Sequence, residues 1–204
     1  TIGQSKKDEV LQFITENRLH KGAPTELALH CINDMEETGT ELEARGAGLG
    51  KHTIYKDAVY TKRSFAILKI MNNDGVGSPF FDTGNKKGRL RAPNKSKSTS
   101  AHTTVAASAF SSSLKPLMYT SNSVLHNCNE QEVADVLLKW WRAWATKCPA
   151  PFKSYSQKGF DPNDYVIMQN IGIYSLNKLL SRIDNYFNLK IRNMTQKNFE
   201  DLIN

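Results

Sequence analysis

The chain has no apolar run near the roughly 20 residues that a membrane span needs. Its N-terminus, Thr1-Ile2-Gly3-Gln4-Ser5-Lys6-Lys7, lacks the apolar core of a secretory signal. A cytoplasmic location with no membrane partner is the expectation. No methionine precedes Thr1, and the chain is expected to be a fragment of a longer protein. Cysteine is scarce: Cys31, Cys128 and Cys148 are odd in number, far apart and without CxxC spacing. That excludes a disulfide framework and a thiolate zinc site as readings, leaving small buried or half-buried residues in a reducing compartment. His20, His30, His52, His102 and His126 show no HxxxH spacing, so neither a metal nor another cofactor is expected. No GxSxG surrounds Ser108 or Ser111 to Ser113, which removes the usual setting of a serine nucleophile.

The most informative absence is of acid. Between Thr83 and Asn129 there is no Asp or Glu, while Lys86, Lys87, Arg89, Arg91, Lys95, Lys97 and Lys115 supply seven cations. The whole chain carries 27 basic and 20 acidic residues, net +7, so this one segment accounts for the entire excess. A neutral body with one basic segment points to a polyanion as partner, where uniform basicity would point only to general stickiness. Arginine suits bidentate phosphate or guanine contacts and lysine supplies diffuse charge. The alternation Arg89-Leu90-Arg91 fits a short ribbon with both arginines on one side. The competing reading is a solvated loop, which Gly84, Gly88, Pro93 and the Ser/Lys mixture also fit. If six of these side chains meet phosphates, log K should fall with log salt with a slope on the order of −5.

A second stretch, Gly46-Ala47-Gly48-Leu49-Gly50-Lys51-His52, fails as a phosphate loop. Three residues separate its first glycine from the Gly-Lys pair where the Walker motif has four, and His52 stands where Ser or Thr would hold magnesium. It reads as a hinge between helices, with Lys51 and Arg63 as second-rank phosphate contacts.

The fold is expected to be mainly α, a compact multi-helix domain with a basic loop and a small β element. Residues 1–204 are taken as a single domain. It divides into an N-terminal helix (1–23), a helical segment (24–75), a basic Ser/Thr-rich insert (76–129) and a C-terminal helical core (130–204). Ser5 to Leu19 has helical spacing of Val10, Phe13 and Ile14. A second helix from Pro24 places Leu27, Cys31, Ile32 and Met35 inward; Thr38-Gly39 weakens its pattern and leaves continuation to Glu43 open, with Asp34, Glu36, Glu37, Glu41 and Glu43 facing solvent. Phe65 to Met71 fits a helix stopped by Asn72-Asn73-Asp74-Gly75, and helix is also the reading for Tyr55 to Tyr60. Thr103 to Leu114 fits a strand entering a helix. Glu130 to Lys147 has the strongest helical pattern, with Asn129 as N-cap and a face of Val133, Val136, Leu137, Trp140, Trp141 and Trp144. Those tryptophans read first as core, with base stacking second. Asp164 to Phe187 is expected as a helical hairpin broken at Gly172, followed by a short helix around Phe199, Leu202 and Ile203.

Several of these stretches, in order, carry a resemblance. They are Ile32-Asn33, then Ala66-Ile67-Leu68-Lys69-Ile70-Met71-Asn72 leading to Ser78-Pro79-Phe80-Phe81. Phe110 to Leu117, Trp141 to Pro149 and Asn170-Ile171-Gly172-Ile173-Tyr174-Ser175-Leu176 follow. Across about Ala28 to Asn188 their order and spacing resemble the region following the naming motif in DGQHR-domain proteins, a family that includes the B protein of DNA phosphorothioation systems. The motif itself, Asp-Gly-Gln-His-Arg, does not occur here, so chemistry tied to it is not implied. The resemblance implies a prokaryotic or phage protein linked to DNA modification or its regulation, and contact with DNA more than catalysis. It makes Ser78 to Phe81 and Phe110 to Leu117 the framework, and the basic residues an insert between them.

The expected function is that of a DNA-associated binding or regulatory protein, its phosphates met by Lys86, Lys87, Arg89, Arg91, Lys95 and Lys97, with Lys51 and Arg63 in support. The expected partner is DNA, and self-association or membership of a larger complex stays open. Two alternatives stand beside it. One is an enzyme acting on nucleic acid or a nucleotide, built from Asp57, Asp74 or Asp82 with His52 or His102. The other is an interaction subunit whose basic patch meets an acidic protein.

Overall fold

A computed structural model describes residues 31–47, 57–73, 77–84, 86–91, 105–121, 123–154, 156–157, 159–161, 164–187 and 194–203. The expected helix from Ser5 to Leu19 lies outside the described residues. Where these residues have regular structure it is mainly helical, with short strands only. The chain falls into two compact units, Thr1–Phe65 and Ala66–Asn204, and the boundary lies inside a helix and not in a linker.

In the first unit, residues 31–34 are helical and the helix stops there. A separate helix, α1 (Gly39–Ala47), follows with Thr38 capping it, so the second helix does not continue to Glu43. The cause is a capping box. The Glu41 amide donates to Thr38 Oγ1 at 3.2 Å, and the Thr38 amide and hydroxyl donate to Glu41 Oε2 at 2.7 and 2.8 Å. Those two donations, the backbone one first, hold the exposed Glu41 carboxyl below its ordinary value. Gly39 lies directly against the Val59 backbone at the start of α2 (Ala58–Met71), where a Cβ would collide. Val59 N donates to Glu43 Oε1 at 3.0 Å and Lys62 Nζ to the Met35 carbonyl at 2.6 Å. Ile32, Met35, Leu42 and Ala58 fill the space between. Of the five acids expected to face solvent, Asp34, Glu36 and Glu41 do, while Glu37 and Glu43 are half-buried.

In the second unit, Phe81–Asp82 (β1) and Lys87–Gly88 (β2) form an antiparallel hairpin, and Leu90–Arg91 (β3) pairs in parallel with Val105–Ala106 (β4). These pairs are only two residues long, and side chains complete them. Asn72, just past α2, donates to the Leu90 carbonyl at 2.8 Å and accepts from the Leu90 amide at 3.1 Å, acting as a further strand edge. Asn170 Oδ1 accepts from the Ala106 amide at 2.8 Å. The expected strand-to-helix transition is present: β4 runs directly into α3 (Ala107–Met118).

Helix α4 (Glu130–Lys147) has the expected bounds and cap. Asn129 Oδ1 accepts from the Glu132 amide at 2.9 Å while Glu132 Oε2 accepts from the Asn129 amide at 2.8 Å. Helix α5 (Asn170–Phe187) packs on α3, and the short α6 (Gln196–Leu202) packs on α4. Gly172 does not break α5. It sits within the helix, pressed against the backbone of Val166 and Ile167, which leaves no room for a side chain.

Aromatic rings join these helices. Phe80 stands edge-on between Trp141 of α4 at 4.9 Å and Phe110 of α3 at 6.4 Å. Trp140 meets Phe199 of α6 at 5.3 Å. Trp140 and Trp141 are core residues, at 1% and 0% exposure, and Trp144 is half-buried against Trp140. One buried polar chain crosses the core. Trp141 Nε1 donates to Asn177 Oδ1 at 3.1 Å, Asn177 Nδ2 to Ser113 Oγ at 2.7 Å, and Ser113 Oγ to the Phe110 carbonyl at 2.6 Å.

Asn177→Ala leaves the Trp141 indole donor buried without its acceptor, and should cost about 2 kcal/mol in urea unfolding. Glu41 has a depressed folded-state pKa, so its contribution is present above the unfolded carboxylate value and is lost as pH falls through the folded one. Helicity of the first unit should drop over that acid range in the native protein, and Glu41→Gln should flatten that part of the profile in circular dichroism.

Candidate nucleic-acid interface

The β1–β2 hairpin carries the start of the basic segment. Asp82 pairs with Lys87, and Thr83, Gly84 and Lys86 lie in the turn between them. Its last residue, Lys86, is exposed and has φ 50°, a left-handed conformation that costs a side-chain-bearing residue roughly 1 kcal/mol. A lysine held there, where glycine or asparagine would be easier, places a cation at the end of the turn, next to β2. Lys87 lies in β2 and Arg91 in β3. Lys95 and Lys97 lie outside the described residues, as do Lys51, His52, Asp74 and His102. Arg63 is half-buried on α2, within the first unit.

Arg89 departs from expectation. It is 2% exposed, and its guanidinium donates to three successive backbone carbonyls: Nη1 to Pro151 at 3.4 Å, Nη2 to Phe152 at 3.0 Å and Nη2 to Lys153 at 2.8 Å. A buried guanidinium engaged in this way cannot also meet a phosphate. Arg89 is therefore removed from the expected contact set. Leu90 beside it is equally buried, at 1%, and the chain bends at Arg89 between β2 and β3.

Arg89 fastens the hairpin to the segment after α4, where Ala150–Phe152 forms a single 3-10 turn. A second tie runs beside it. Ser154 Oγ donates to Asp82 Oδ1 at 2.7 Å, the Gly84 amide donates to the same oxygen at 3.0 Å, and Ser154 and Ser156 hydroxyls lie 2.8 Å apart. Asp82 is 2% exposed. One of the carboxylates considered for catalysis is thus spent on this docking, while Asp57 is exposed at the foot of α2 in the first unit. His126 Nδ1 lies 2.9 Å from the Met118 carbonyl, a structural contact. Ser111 and Ser113 are buried and Ser112 is exposed. No group of three or more His, Cys, Asp or Glu side chains among the described residues could hold a metal ion. Cys128 is buried, Cys31 half-buried and Cys148 exposed, so the expectation of burial fails for Cys148. Burial, with the Asp34 carboxylate second, pushes the Cys31 thiol up.

Residues missed from sequence are those of the segment after α4. A signal for them existed. Between Asp135 and Asp161 there is again no acid, and Lys139, Arg142, Lys147, Lys153 and Lys158 lie there. The two acid-free stretches hold twelve cations together, and the rest of the chain keeps 15 basic residues against all 20 acidic ones. Among the described residues no helix is long and apolar enough to cross a membrane. Comparison with family models, with curated proteins and with solved structures returned no match.

Arg89→Ala should lower stability by about 3 kcal/mol in urea unfolding, since three carbonyls lose a charged donor. Lysine at that position should not restore it, because an ammonium cannot reproduce the planar fork. Lys86→Gly should leave stability unchanged or raise it by up to about 1 kcal/mol, as glycine takes the left-handed region freely.

Proposed function

We propose that the protein is a DNA-associated binding or regulatory protein that contacts phosphates through the basic segment following β1. The observation that carries this reading is charge segregation: one acid-free segment holds the whole net charge of +7. Its ordered start presents Lys86 on an exposed turn. With Arg89 engaged internally, the contact set becomes Lys86, Lys87, Arg91, Lys95 and Lys97. The resemblance to the DGQHR-domain family supports a link to DNA modification, in a cytoplasmic setting. It supports binding over catalysis, since the pentapeptide naming that family is missing.

A labelled duplex titrated at several salt concentrations tests the reading. Five phosphate contacts predict a slope of log K against log salt of about −4.5. Replacing the five cations by alanine should bring affinity down to that of residual nonspecific binding and flatten the slope. Full affinity in that variant, or a salt-independent wild type, sinks the assignment. Running phosphorothioate-bearing and plain duplexes in parallel tests the link to modification. Tighter binding of one supports it, and equal affinity leaves phosphate recognition alone.

A further inference from the structure

We infer that the DNA-binding surface is built from two chain segments, and that Lys153, from the segment after α4, contacts the same phosphate backbone as Lys86. This rests on the reading of the basic segment as a DNA contact. It adds a binding residue, and it assigns Arg89 as the positioning residue that brings the second segment in.

Three independent observations place the segments side by side. Arg89 grips the carbonyls of residues 151–153 from inside the protein, with the Lys153 carbonyl the closest at 2.8 Å. Ser154 reaches Asp82 at 2.7 Å. Gly84, in the same turn as Lys86, lies so close to this segment that a Cβ there would stand 2.8 Å from Ser156 Oγ. The turn carrying Lys86 and the backbone carrying Lys153 are thus in direct contact.

Charge favours one ligand for both. Lys86 and Lys153 are exposed, and the nearby carboxylate of Asp82 is buried and hydrogen-bonded to Ser154 and Gly84. Each cation comes from a stretch with no acidic residue. A duplex offers one phosphate charge per 3.4 Å of axis on each strand, so adjacent cations on a rigid platform find phosphates at many registers. Loose lysines on an unsupported loop would lose conformational entropy on binding; these two stand on backbone already fixed by Arg89 and Ser154.

The test uses the full chain and a labelled duplex of mixed sequence. Lys153→Ala should weaken binding about fivefold and reduce the magnitude of the salt slope by about 0.9, the share of one phosphate contact. Lys197→Ala, an exposed lysine on α6 outside both acid-free stretches, should change neither. Arg89→Lys keeps the charge but not the fork. It should also reduce the magnitude of the slope by about 0.9, and Lys153→Ala should add nothing in that background. If Arg89→Lys does not fold, Ser154→Ala supplies a milder loosening with a smaller change of the same sign. A wild type that does not bind the duplex overturns the DNA assignment itself. A wild type that binds with a steep slope, and a Lys153→Ala variant identical to it, overturns this inference alone.

Discussion

Asn177 satisfies two buried polar groups at once, and the second unit depends on that. Its carbonyl accepts from Trp141 on α4 and its amide donates to Ser113 on α3, while Asn177 itself belongs to α5. Three helices are thereby fixed in mutual register by a side chain that is 0% exposed. A buried network of this kind is valuable only when every member is satisfied, and here Ser113 completes it by donating to the Phe110 carbonyl. The aromatic rings then pack on a fixed frame. Phe80 can insert between Phe110 and Trp141 because those helices do not slide.

That insertion is what delivers the basic segment. Phe80 immediately precedes β1, so anchoring its ring anchors the hairpin, and the Arg89 amide bonds back to the Phe80 carbonyl at 2.7 Å. Buried residues flank the basic turn on both sides: Phe80 and Asp82 before it, Arg89 and Leu90 after it. Lys86 is therefore a cation on a short, tightly held turn.

Much of this was legible in the sequence wherever several local signals agreed. At Glu130 to Lys147 the cap, the acidic first turn and the apolar face all marked the same helix. The change from strand to helix after Ala106 was readable for the same reason. Errors arose where a residue had a role that only its neighbours define. Gly172 looked like a helix breaker, yet it sits inside α5 because another backbone passes too close for a side chain, and Gly39 opens α1 for the same reason. The break before α1 was in fact written in Thr38-Gly39-Thr40-Glu41, a capping box read as a weakened helix. Arg89 looked like its neighbours in a basic tract, but its carbonyl partners lie 62 to 64 residues further along. No local pattern distinguishes a buried arginine from an exposed one at that distance.

The clamp at Arg89 differs in kind from a contact between surface lysines and a polyanion. A guanidinium keeps its proton throughout the range in which proteins fold, and backbone carbonyls have none to exchange. Mobile ions screen exposed charges well and buried ones poorly. If surface lysines hold a polyanion as proposed, added salt would loosen that grip while the joint beneath them stays closed. On the proposed DNA-binding reading, release of the nucleic acid would not dismantle the surface that held it, and the same platform would be ready for the next encounter.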